Sequence, residues 1–156
     1  MTKTPLNTKS LARIAAIQVL YQFNNDNSNE NLDSVLLKII EFYKSPTIHN
    51  DLDIDKDIKI RPSHIHLKSL VKSTHENLDK IDIIIEQHLT KEWKINNLPK
   101  LLLAILRVSI SEIKYFPNIP VKVSINEYTD IANDLLNQND IGFVNSVLDK
   151  FGKVAR

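Results

Sequence analysis

No cysteine occurs anywhere in the sequence, which rules out a disulfide framework and any thiolate metal site. Glycine is nearly as scarce. Two in 156 residues argue against tight hairpins, β-sandwiches and glycine-rich phosphate loops. No apolar run approaches the roughly 20 residues that span a bilayer, and "MTKTPLNTKSLAR" lacks the apolar core of a signal peptide. No membrane association is expected, and a cytoplasmic location is. The settings of common catalytic machinery are missing too: no serine stands in a G-x-S-x-G context, and there is no G-K-S/T. The histidines of "HIH" at 64–66 would share a face on a strand, but they open a helix, where i and i+2 diverge. His75, Glu76 and Asn77 match a solvated helix face, and the acids Asp79 and Asp82 flank Lys80 on another. No catalytic residue, metal site or cofactor is expected, nor is an enzyme.

What remains is an ordinary globular composition, 42% hydrophobic and 25% charged, on a chain long enough for one domain. The spacing predicts helices throughout. Thr8 is placed to cap a first helix running to about Phe23, with Ala12, Ala15, Ala16 and Val19 allowing close packing. After the turn-forming "NNDNSNEN", apolar residues from Leu32 to Tyr43 step by three and four, and Pro46 ends that helix. Residues 45–62 read as an exposed acidic linker, although "DIDKDIKI" alternates like a strand. Ser63 caps a third helix through Leu67, Leu70, Val71 and Thr74, which bends on through Ile81 and Ile85 towards Leu89. "LPKLLLAILRVSISEIKYF" is apolar on almost every side, so it predicts a central helix covered all round. Pro120 starts the next, with Val121, Ile125, Tyr128, Ala132 and Leu135 inward; Asp140 caps the last and Gly152 stops it. The sum is an all-α fold of about seven helices. One domain over 1–156 is expected, with a helical half at 1–90, its linker at 45–62, and a second half at 91–156.

A formal charge of +1 hides alternation along the chain. Residues 1–24 carry Lys3, Lys9 and Arg13 without a carboxylate, residues 26–61 carry eight acids against five bases, and residues 93–117 are basic again. Local basic faces are therefore possible on a near-neutral protein. Lys9 and Arg13 stand four apart, so both should project from one side of the first turns, where unpaired N–H groups and the helix dipole already favour phosphate. Tyr21 and Phe23 add aromatic surface further on. In "DIGFVNSVLDKFG", Ile141, Val144, Leu148 and Phe151 form an inward stripe with Asn145 in its middle. Either Asn145 is a buried amide bonded to neighbouring main chain, with Asn126 doing the same one helix earlier, or it faces RNA or a partner. Arg107, among apolar neighbours, calls for a carboxylate, and Glu127 is the candidate.

"ARIAAIQVLYQF" near the start, "AILRVSISEIKYFPNIPVKVSINEYTDIA" later and "FVNSVLDKFG" at the end together resemble the transcription antitermination factor family NusB. The residues that carry the likeness are Ala12, Arg13, Ala16, Gln18, Leu20 and Tyr21, then Ala104 to Arg107, Glu112-Ile113, Ile119 to Glu127, and Phe143 to Asp149. The resemblance implies two three-helix halves sharing one core, with a short extra helix. It also implies binding of boxA-type single-stranded RNA together with NusE, a small-subunit ribosomal protein, within an RNA polymerase assembly that reads through terminators in ribosomal RNA operons. Its RNA contacts map onto Lys3, Lys9, Arg13 and Phe143, and relatives are monomers or homodimers. Ser10, Leu11 and Gly142 stand where the family is usually basic, Leu102 and Leu103 replace a charged pair, and Ser146 replaces a glycine. Two other roles compete: maturation of ribosomal RNA, and a helical adaptor acting mainly through protein contacts.

Overall fold

The computed structural model describes residues 7–25, 29–44 and 61–155. Among the described residues lie seven α-helices and no strand. They are α1 (Thr8–Asn25), α2 (Leu32–Lys44), α3 (His64–Glu76), α4 (Leu78–Glu86), α5 (Lys100–Tyr115), α6 (Val121–Leu135) and α7 (Gln138–Val154), with a 3-10 turn at Ile95–Asn97 before α5. Lys3, Pro46 and most of the expected linker, residues 45–60, fall outside the described residues.

The chain divides into two compact units within α3, between Val71 and Lys72, whereas the sequence pattern put the seam at the connection between Trp93 and Pro99. Local bonding follows the division. At the start of α3 the Ser63 N–H donates to the Thr8 carbonyl at 2.9 Å, tying this end to α1. Further along, the Ser111 hydroxyl of α5 donates to the Ser73 hydroxyl at 3.0 Å.

In the first unit α1 packs on α2. Ala12, Ala15, Ala16 and Val19 are buried, and their small size lets a neighbouring helix approach closely. The cap of α1 is Asn7 rather than Thr8: its Oδ1 accepts from the Ser10 N–H at 2.8 Å. Asn31 does the same for α2, accepting from Ser34 at 2.8 Å. Either residue type serves as a cap, and the one immediately outside the first helical turn takes the role. Tyr43, buried on α2, donates its hydroxyl to the Gln18 side chain of α1 at 2.8 Å.

In the second unit α5 is the centre, packed by α4, α6 and α7. Six consecutive residues, Val108 to Ile113, are buried, which only a helix covered on all sides can show. The predicted continuation of α3 into α4 breaks at Asn77, whose Nδ2 donates to the Ser73 carbonyl at 2.8 Å. Helix α6 is rolled relative to the sequence expectation. It buries Ser124, Glu127, Tyr128, Ile131 and Ala132, leaves Val121 and Ile125 half-buried, and exposes Leu135. The polar members of that face answer to one buried group, Glu112 of α5. Its Oε2 accepts from the Ser124 hydroxyl at 2.5 Å and its Oε1 from the Tyr128 hydroxyl at 3.2 Å. A carboxylate taken fully out of water is tolerable because hydrogen bonds replace its hydration.

Two further expectations change at α7. Asn137, not Asp140, is the cap, accepting from the Asp140 N–H at 2.9 Å. Gly152 does not stop the helix, which runs on to Val154. A Cβ at Gly152 would stand 2.8 Å from Ile125 Cδ1 and 3.1 Å from Val121 Cγ1, so glycine is there for the close approach of α6.

Candidate nucleic-acid interface

Lys9 and Arg13, paired by spacing, part company in the structure. Lys9 is exposed in the first turn of α1, while Arg13 is 2% exposed and engaged by neighbouring groups. Residues i and i+4 do share a helix side, but this side runs from solvent into the interior within one turn. Ser10 and Leu11 are buried as well, so basic residues there would have no route to solvent without repacking. Among the described residues of α1, Lys9 is left as the exposed cation. Tyr21 is 41% exposed and lines a shallow cleft of about 650 Å³ with Gln18, Ile39 and Phe42. Phe23 is half-buried.

Phe143 sits in the second unit, half-exposed in the second turn of α7. It lines a cavity of about 430 Å³ whose other walls come from the segment after α4 and the start of α5. Trp93, Leu98, Pro99 and Leu102 supply apolar and aromatic surface; His88, Asn97 and Asp140 supply polar groups. The His88 Nδ1 lies 2.8 Å from the Ile84 carbonyl. A carbonyl only accepts, so Nδ1 carries the proton, and in the neutral ring Nε2 is an acceptor. No spacing rule brings residues 88–102 and 140–143 together. The one available signal was an unexplained tryptophan in a polar connection.

The polar residues singled out by sequence are arranged differently from expectation. Arg107 makes a two-pronged ion pair with Asp82 of α4, Nε to Oδ1 and Nη2 to Oδ2 both at 2.9 Å, and not with Glu127. Glu127 is nonetheless buried, and it is engaged by other groups. Asn126 is half-buried. Asn145 is half-buried, and its Oδ1 is buried without a hydrogen-bond partner. The reason is a rotation of α7: the buried stripe is Val144, Val147, Leu148 and Phe151, which puts Asn145 at its edge and leaves Ile141 half-buried. His64 is exposed and His66 buried, so the two rings of "HIH" do diverge. Among the described residues no cluster of three metal-ligating side chains occurs, and no helix is long and apolar enough to cross a membrane.

Comparison with known proteins places these features in a family context. The family model described as "NusB family" matches residues 10–153. A "Transcription antitermination protein NusB" from Rickettsia massiliae (strain Mtu5) is 48% identical over 154 residues, covering 98% of this chain and 96% of its own length. Its counterpart from Rickettsia bellii (strain OSU 85-389) is 50% identical over 150 residues, covering 96% of this chain and 93% of its own. Among solved structures, T. maritima NusB superposes with a TM-score of 0.72 at 29% identity, covering 99% of this chain and 96% of that one. A structure of antitermination factors NusB and NusE in complex with double-stranded RNA shares the fold, with a TM-score of 0.72 at 23% identity over 92% of this chain and 95% of that one.

Proposed function

The chain belongs to the NusB family, and from that premise we propose that it is an RNA-binding transcription antitermination factor. On this reading it binds boxA-type single-stranded RNA together with the ribosomal protein NusE and helps RNA polymerase read through terminators in ribosomal RNA operons. The near end-to-end match to proteins named for antitermination carries the reading. Lys9 supplies a phosphate contact at the first turn of α1, where the helix dipole adds to its charge. Phe143 offers a face for a base, and Lys3 adds a second cation by resemblance. Arg13 holds α1 in place from inside.

With Ser10 and Leu11 buried and Gly142 uncharged, few cations face the RNA, so NusE carries more of the affinity. Each phosphate contact contributes about 0.7 to the salt slope of a single-stranded complex. Titration of labelled boxA-like RNA against salt should therefore give weak binding alone, on a slope well below about five. Addition of NusE should tighten it. Tight binding without NusE on a steep slope overturns this division of labour, and no binding in either arm overturns the RNA reading.

The burial of Arg13 favours a second reading, in which the protein is a helical adaptor or ribosomal RNA maturation factor working through protein contacts. Lys9→Ala separates the two. RNA affinity falls and NusE capture survives under the first; neither moves under the second.

A further inference from the structure

The cavity beside Phe143 has a chemistry more specific than general RNA attachment. It is about 430 Å³, within the range of roughly 300–1,000 Å³ typical of small-ligand sites. Trp93, 53% exposed, and Phe143 line it and give two aromatic surfaces on which a base can stack. Its polar lining includes the Asp140 carboxylate and the His88 ring, whose Nδ1 is already committed to the Ile84 carbonyl, with Thr90 and Asn97 beside them. Lys91, Lys94 and Lys100 are exposed on the same stretch of chain.

From this arrangement we infer that the cavity takes one unstacked nucleobase and prefers guanine, whose Watson–Crick edge presents two adjacent N–H donors to a carboxylate. Uracil presents one N–H between two carbonyls, so it offers the carboxylate one donor where guanine offers two. Single-stranded RNA is recognised by splayed bases stacked on aromatic side chains and read along these edges. An apolar side chain of a protein partner would fill the same volume, but it would offer the Asp140 carboxylate no donor. The inference rests on the RNA-binding reading above.

Trp93 is the sole tryptophan of the chain, so its emission reports on this cavity alone. The full-length protein is titrated with fluorescein-labelled oligouridine carrying one central guanosine, inosine or uridine, with and without NusE. RNA anisotropy and Trp93 emission are read in parallel. The guanosine oligomer should quench Trp93 and bind at least about fivefold tighter than the uridine oligomer, the lower end of a two-pronged base contact. Inosine, which lacks the 2-amino group, should fall between. Asp140→Asn leaves the α7 cap intact, because the cap uses the Asp140 backbone N–H. It should abolish the guanosine preference without weakening the uridine complex. Charge removal alone would strengthen all three complexes, so uniform tightening overturns the inference.

Anisotropy that rises with no guanosine preference and no quenching also overturns it, while RNA binding stands. Quenching by NusE alone would assign the cavity to the protein partner and likewise overturn it. Flat anisotropy in every arm removes the RNA reading, and this inference with it.

Discussion

Asn145 shows how far one side chain can depart from its place in a pattern. As a satisfied buried amide its replacement by leucine would leave partners unpaired and cost about 1–3 kcal/mol. Its Oδ1 instead has no partner to lose, so Asn145→Leu should change the urea unfolding free energy by less than about 0.5 kcal/mol or raise it. A loss well beyond that would mean the amide is bonded after all. Tyr43 makes the opposite case. Burial pushes its hydroxyl up to about 12. The folded state therefore holds this proton more tightly than the unfolded chain, where the ordinary value is 10.0. Stability from Tyr43 is complete below that value and lost as pH rises towards about 12. Tyr43→Phe should flatten the decline between those two limits, measured as the difference between the pH–stability curves of the two proteins.

The two glycines lie on one helix and have opposite meanings. Gly142 has open space around the position of a Cβ, so Gly142→Ala should raise stability by up to about 1 kcal/mol through helix propensity. Gly152 faces Val121 and Ile125, and Gly152→Val should cost about 1–3 kcal/mol by overpacking α6 against α7. Thermal unfolding of the pair reads both signs. Periodicity was enough to find the helices, since their apolar stripes are long and regular. It could not fix their roll. For α6 the buried Glu112 draws Ser124 and Tyr128 inward, and that demand comes from another helix. Helix ends misled for a related reason: Asn7 and Thr8, or Asn137 and Asp140, are all competent caps, and only backbone geometry chooses between them.

Across the chain, the family and its fold were recoverable from ordered motifs, while the surface those motifs present was not. Arg107 finds Asp82 rather than Glu127, and the cavity at Phe143 is assembled from residues distant in sequence, because both depend on how α4, α5 and α7 pack. The division between Lys9 and Arg13 also needed the folded molecule. It separates stability from binding: Lys9→Ala should leave the unfolding midpoint unchanged and weaken RNA binding. Arg13→Ala removes a buried, partnered cation and should cost on the order of 1.5–3 kcal/mol in denaturant titration. Equal destabilisation by both would show that the exposed lysine is also part of the scaffold.

The contact at Gly152 extends to the history of the fold. Two helices that touch where one lacks a Cβ share a fixed volume, so change at one side constrains the other. Homologues with alanine or a larger residue at this site should carry trimmed side chains opposite it, at the positions of Val121 and Ile125. Such compensation would be readable as correlated substitution among relatives, and a swap of the three residues as a set should be tolerated where the single exchange is not.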